Sequence, residues 1–267
     1  MNEHILKTKL LIVGPAFFNY LDAIQIEFKK IGIETRVEIE RGKETTFSKV
    51  VYRSPLLKFI FSYVIKKRHN DIIEASIAFG ATHILFISPE SMSKKLLIRL
   101  KESNVRTLLY MWDSFDNKNA ARKFLRFFDR SSTFDPVDSN KFNMNLINLF
   151  AEEIFFSKEN STRDYDFVFV GTAHSIRPRI IFKLNSIFAN TNFKNKIHLY
   201  RGNIFYYILG LLKTNFRDPN IFTKKSISKE NVAGYFKNSK FVLDITHPKQ
   251  QGLTSRSFEA LASGAFL

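Results

Sequence analysis

Asp166-Phe-Val-Phe-Val-Gly-Thr172 holds an apolar run of strand length, Phe167–Val170, that stops on a glycine. A short continuous apolar run bounded by turn residues reads as a strand buried on both faces. Beyond it, Pro178 suits the first turn of a helix that Ile180–Phe188 continues. The same alternation runs on toward the C-terminus. Ile197–Tyr200 reads as a strand, Ser228–Asn238 as a helix capped by Ser228, and Lys240–Ile245 as a strand. Ser255–Ser263 reads as a helix stopped by Gly264.

An equivalent series precedes it. Leu10–Val13 is an apolar strand followed by Gly14-Pro15, a helical Phe17–Lys30 closed by Gly32, and a strand at Glu34–Ile39. Thr82–Ile87, Val105–Met111 and Ser131–Phe134 read as further strands, the last ended by Asp135-Pro136. Ser91–Glu102 and a basic amphipathic Asn117–Phe128 read as helices. Strands alternating with helices predict parallel sheets covered on both faces. The expected fold is α/β: two Rossmann-like doubly wound domains, residues 1–160 and 161–267, facing each other across a cleft. The polar stretch Ser157–Asp164 joins them. The final Ala265-Phe-Leu267 reads as the opening of another strand, so the second domain is expected to be truncated.

Composition narrows the function. The 267 residues are 45% hydrophobic and 25% charged, with only 10 Gly and 7 Pro, a globular mix. Without cysteine there is no disulfide framework, thiolate metal site or cysteine nucleophile. The net charge of +16 favours polyanionic or phosphorylated partners, although a lysine-rich composition alone produces the same sign. No run nears the roughly 18 apolar residues of a membrane span. No G-x-G-x-x-G or P-loop is present, which argues against dehydrogenases and NTPases. Asp164-Tyr-Asp166 precedes its strand, at the end of the sheet away from the expected site, and no acidic or histidine cluster has metal-ligand spacing.

Ligands of open α/β sheets bind beyond the carboxyl ends of the strands. That rule selects the loop Asp244–Ser255, which leaves one strand and enters a helix. The amides of Leu253, Thr254 and Ser255 would be free helix-start donors suited to a phosphate, with Arg256 adding charge. Arg256 and Glu259 share a helix face; Glu259 could accept from ribose hydroxyls or simply pair with Arg256. His174 and His247 lie in post-strand loops, where a lone histidine is commonly only solvated.

Gly252-Leu-Thr-Ser-Arg-Ser-Phe-Glu-Ala-Leu-Ala-Ser-Gly-Ala-Phe-Leu267 resembles the donor-site signature of GT-B glycosyltransferases. It is most similar to the bacterial group that builds capsule and lipopolysaccharide glycans and to the related spore-maturation type. Tyr110-Met-Trp-Asp-Ser-Phe-Asp116, Thr133-Phe-Asp-Pro-Val-Asp138 and Asp166–Thr172 fit the same group, so the resemblance spans most of the chain. It implies an acceptor domain first and a nucleotide-sugar domain second, hence a hexosyltransferase-like enzyme. Glu259 would hold the ribose, and Gly252, Leu253, Thr254 and Arg256 the diphosphate. Gly171 and Thr172 would admit the donor, with Arg177 as a second phosphate ligand; His174 and His247, from their loop positions, could each steady a phosphate or act as base. Retaining members carry an acidic residue eight positions before that glutamate; here it is Gln251, which argues against a retaining outcome.

An inverting transfer needs a general base. Asp113, just past the strand ending at Met111, is the first candidate and Asp116 the second; Asp113 could equally cap a helix. The expected partners are a nucleoside-diphosphate sugar as co-substrate, a glycan or lipid-linked acceptor and an anionic membrane surface, with no resident cofactor, metal or nucleic acid. The expected location is the cytoplasm, peripheral on the inner face of the cell membrane. Leu56–Ile65 reads either as a core helix or as one lying in the membrane interface, with Lys66, Lys67 and Arg68 meeting lipid. A nucleotide-sugar epimerase, a non-catalytic remnant and a basic binding protein are the alternatives.

Overall fold

The computed structural model describes residues 8–16, 19–42, 45–157, 163–173, 176–189, 191–201 and 222–267. The chain divides into two compact units, Met1–Asn148 with Lys249–Gly252, and Leu149–Pro248 with Leu253–Leu267. The division falls after Asn148, not near 160. Phe155, in the short 3-10 turn Glu153–Phe155, is buried against Phe236 in the core of the second unit, which fixes that segment there.

The first unit carries a six-stranded sheet with order β2-β1-β3-β4-β5-β6, every pairing parallel. Its strands are β1 (Lys9–Gly14), β2 (Glu34–Ile39), β3 (His83–Ile87), β4 (Arg106–Met111), β5 (Arg130–Thr133) and β6 (Asn145–Leu146). Side chains alternate across a strand, so one sequence feeds two cores. Leu11 and Val13 of β1 join Ile84 and Phe86 of β3 in a cluster with α4 (Ser62–Phe79) and α5 (Lys94–Glu102). Leu10, Ile12 and Ile87 turn to the opposite face and meet Leu21, Ile24 and Phe28 of α1 (Tyr20–Lys30). Each such buried side chain contributes roughly 1.5–3 kcal/mol relative to exposure.

The second unit repeats the plan on a smaller scale. Its four-stranded parallel sheet has order β10-β7-β8-β9, with β7 at Tyr165–Thr172, β8 at Asn195–Tyr200, β9 at Phe222–Thr223 and β10 at Ser239–Val242. Phe167 and Phe169 pack with Ile181 of α7 (Arg177–Phe188), while Val168 and Val170 face Val232 and Phe236 of α8 (Lys229–Lys237). Phe266 bridges to Phe241 in parallel, so the terminal residues do begin to pair beyond β10.

Some local readings change. Asn117–Phe128 is not an amphipathic helix; only Arg122–Phe127 winds, as a 3-10 segment, and Ala121 and Phe128 enter the core. Asp135-Pro136 ends β5 and also starts α6 (Pro136–Phe142), because the Asp135 carboxylate caps the amides of Val137 and Asp138. The Leu56–Ile65 stretch is interrupted at Phe61, between α3 (Pro55–Ile60) and α4. Before it, α2 (Thr46–Arg53) starts on a reciprocal Thr45–Ser48 capping box that the sequence reading passed over.

Candidate functional site

Within the second unit the carboxyl ends of β7 and β10 lie side by side, since the two strands are parallel neighbours. Arg177, in the first turn of α7, spans them: its Nε donates to the Ile245 carbonyl at 2.8 Å and its Nη1 to the Thr172 carbonyl at 3.5 Å. Burial lowers the Arg177 guanidinium to about 10, with the nearby charge of Arg256 pushing the same way and Asp244 opposing. Gly171 is required here by close packing. A Cβ at that position would stand 2.9 Å from the Phe169 ring and 3.5 Å from Arg177 Nη1.

Asp244 organises the loop that follows β10. Its Oδ2 accepts from Thr254 Oγ1 at 2.5 Å and from Ser257 Oγ at 2.8 Å. Thr254 is the N-cap of α9 (Ser255–Ala262), its hydroxyl also accepting from the Arg256 amide. The amides of Leu253, Thr254 and Ser255 donate to none of the described residues. With Arg177 and Arg256, and beside the carboxylates of Asp244 and Glu259, they make a donor-rich sheet end. Neither Asp244 nor Ser257 was singled out from the sequence; a carboxylate leaving a strand ten residues before an N-cap threonine was the available signal.

Of the two sequence readings of Glu259, the structure shows the approach to Arg256: the side chain is 2% exposed, with Oε2 3.9 Å from Arg256 Nε. The cause is α9 itself: its buried face comprises Ser257, Glu259 and Ala260. The Arg256 guanidinium in turn lies over the Phe236 ring, 5.4 Å from its centroid. Thr172 is exposed and His247 half-buried, while His174 falls outside the described residues.

Gly252 is placed in the first unit. Its amide and that of Gln251 donate to Asp135 Oδ2, at 3.4 and 2.7 Å, and a Cβ on Gly252 would come within 2.4 Å of the Phe134 carbonyl. Ser114 Oγ holds the Lys249 carbonyl at 2.6 Å. Asp135 therefore caps α6 with one oxygen and fastens residues 249–252 with the other.

The carboxyl end of the first sheet gathers a second, denser set of charges. Glu40, just past β2, is buried and accepts from the amides of Glu90 and Ser91, at 2.9 and 2.7 Å. Burial raises its pKa; those amide bonds oppose the rise. Arg41 pairs with Glu90 at 2.7 Å, both side chains enclosed. Lys118 lies 3.7 Å from Glu90 and 2.9 Å from Asp113, so the first base candidate is ion-paired. Asp113 accepts from the side chain of Asn117 and caps no helix; Asp116 is exposed. Beside this set, His69 is flanked by Ser91 Oγ and Ser93 Oγ, each at 3.2 Å, and burial depresses its pKa to about 4. Among the described residues no His, Asp and Glu group could hold a metal ion.

No family model matches the chain, and no curated protein matches its sequence. Solved structures match its fold. A putative UDP-N-acetylglucosamine 2-epimerase from Listeria monocytogenes gives a TM-score of 0.52 at 9% identity, over 88% of this chain and 73% of that one. The UDP complex of S. aureus MnaA gives 0.51 at 9%, over the same shares, 88% and 73%. The lipopolysaccharide outer core galactosyltransferase WaaB gives 0.50 at 12%, over 97% and 79%. The likeness is one of fold. Two parallel Rossmann-like sheets with alternating helices, the second smaller, match the GT-B architecture expected from the sequence.

Proposed function

We infer that the chain processes a nucleoside-diphosphate sugar, as a glycosyltransferase that passes the sugar to a surface-glycan or lipid-linked acceptor. One observation carries this reading. At the carboxyl end of β7 and β10, Arg177 and Arg256 act on each other electrostatically beside the undonated amides of Leu253, Thr254 and Ser255. A diphosphate is the ligand that satisfies such a set, because it offers several charged acceptor oxygens. Asp244 holds the helix start that presents the amides.

In the proposed transfer an acceptor hydroxyl gives its proton to Asp113. Its oxygen bonds to the anomeric carbon, and the diphosphate departs with the electron pair of the broken bond. Lys118, paired with Asp113, keeps that carboxylate oriented. Asp116, the second candidate, is exposed and forms no ion pair among the described residues, which suits a solvated role. Glu259 lies enclosed beside Arg256, so its proposed role at the ribose is tested against one in positioning the guanidinium.

The test is thermal denaturation against a panel of UDP-, GDP- and CMP-sugars. Donor at a hundredfold its Kd should raise Tm by roughly 5–10 °C. Arg177→Ala and Arg256→Ala should abolish the rise. No shift with any donor refutes the reading. NMR of the nucleotide sugar then separates the chemistries: acceptor-dependent consumption marks a transferase, and inversion at a sugar carbon without acceptor marks an epimerase.

A further inference from the structure

The segment α3–α4 of the first unit is apolar on two faces and uses only one of them. Leu57, Phe61 and Ile65 recur every fourth residue and close a small core with Val51 and Tyr52. Leu56, Phe59, Ile60, Tyr63 and Val64 recur at the spacing of a second helical stripe. That stripe is bare: the five are 68%, 80%, 59%, 78% and 53% exposed, in that order. Large apolar side chains scattered singly on a surface need no explanation, but a contiguous stripe does.

Along the sequence segment that carries the stripe the charge has one sign. Between Glu44 and Asp71 the sequence contains Lys49, Arg53, Lys58, Lys66, Lys67 and Arg68 and no carboxylate. Their uses differ. Lys58 Nζ is spent inside the unit on the Glu90 carbonyl at 2.7 Å. Arg68, expected from the sequence to meet lipid, instead pairs with Glu38 at 2.9 Å and donates to the Ile39 carbonyl. Lys66 and Lys67 are exposed, one turn past Tyr63 and Val64, and form no ion pair with the described residues.

We propose that α3 and the first turns of α4 are an in-plane docking surface for an anionic lipid bilayer. Phe59, Ile60, Tyr63 and Val64 enter the boundary between headgroups and acyl chains, and Lys66 and Lys67 meet the lipid phosphates. A bilayer interface suits both halves of the surface, because it offers apolar depth and negative potential together. The aromatic pair Phe59 and Tyr63 fits the headgroup level, where amphipathic rings concentrate. Among the described residues no helix is long and apolar enough to cross a membrane, so the contact is peripheral. Lys58 ties α3 to the loop carrying Glu90, which gives the docked helix a fixed orientation on its unit. The inference stands apart from the donor-site reading and survives its failure.

Co-sedimentation of the purified chain with vesicles tests it. Vesicles of phosphatidylcholine plus phosphatidylglycerol should bind the chain, phosphatidylcholine alone should bind it far less, and rising salt should release it. Phe59→Ser with Tyr63→Ser should weaken binding by at least about tenfold. Lys66→Gln with Lys67→Gln should weaken it roughly ten- to thirtyfold, each lysine near a charged surface being worth about fivefold. All four side chains are exposed, so circular dichroism and Tm should be unchanged. Equal binding to both vesicle types, binding to neither, or wild-type binding by both double variants overturns the proposal. So does concentration-dependent dimerisation that the Phe59→Ser, Tyr63→Ser chain loses, which would assign the stripe to a second copy.

Discussion

The carboxyl ends of the two sheets follow one plan and differ in how their charge is balanced. In the first unit Glu40, Arg41 and Glu90 are enclosed and answer one another through ion pairs and backbone amides. In the second unit Arg177 and Arg256 meet two carboxylates: Asp244, which is occupied by Thr254 and Ser257, and Glu259, enclosed beside Arg256. The first arrangement is enclosed; in the second the amides of Leu253, Thr254 and Ser255 donate to none of the described residues. Enclosed ion pairs hold loops in place, whereas helix-start amides without an acceptor suit a ligand that brings anionic oxygens.

That contrast can be broken most sharply at Arg41. Arg41→Ala should leave Glu90 as a poorly compensated buried charge and cost about 3–5 kcal/mol, read by chemical denaturation. A cost below about 1 kcal/mol would show that the first set is not closed.

The next effect is acid-dependent. His69 has a folded pKa of about 4 against an unfolded 6.5, so the unfolded chain binds the extra proton between those values. Its contribution to stability is complete above pH 6.5 and is lost as pH falls toward 4, to a limit of about 3 kcal/mol. His69→Gln should flatten this loss, the comparison being Tm against pH for the two chains. Glu40 titrates in the opposite sense, since its raised pKa makes acid favour the folded state. Parallel curves for wild type and variant would mean that His69 is not held neutral.

Glu259→Gln sharpens the second site. It should lower stability by about 1–3 kcal/mol, because the carboxylate is buried beside Arg256. Donor affinity should fall as well if the residue reaches the ribose. A lower Tm with unchanged donor affinity assigns Glu259 to positioning alone. The smallest expected effect is at Asp244→Asn, which keeps an acceptor for Thr254 and Ser257 but removes the charge. It should cost roughly 0.5–1.5 kcal/mol in unfolding and, by removing the carboxylate that opposes the two arginines, leave donor binding equal or tighter. Loss of donor binding would mean that Asp244 itself contacts the ligand.

The apolar runs at Leu10–Val13, Thr82–Ile87 and Phe167–Val170 made the parallel sheets legible, because strands buried on both faces must be continuously apolar. The helix starts at Ser228 and Pro178 were legible for an equally local reason: capping depends on neighbours a few residues away. The 3-10 segment at Arg122–Phe127 was not, since a full helix and a brief 3-10 segment between two buried flanks share the same apolar spacing.

The amino-acid sequence by itself determined the alternation of strand and helix, the two-series architecture, the excess positive charge and the candidate loop after Asp244. Those properties are written in period, capping and composition, all local in the chain. Only the tertiary structure decided which charges are spent. It enclosed Glu259 beside Arg256, gave Arg68 to Glu38, set Arg41 against Glu90 and fastened Gln251 and Gly252 to Asp135. It also left the Leu56–Val64 stripe bare while burying the stripe one residue around. Each of these depends on partners distant in sequence or on which helix face meets a neighbour, and spacing along one chain carries no record of either.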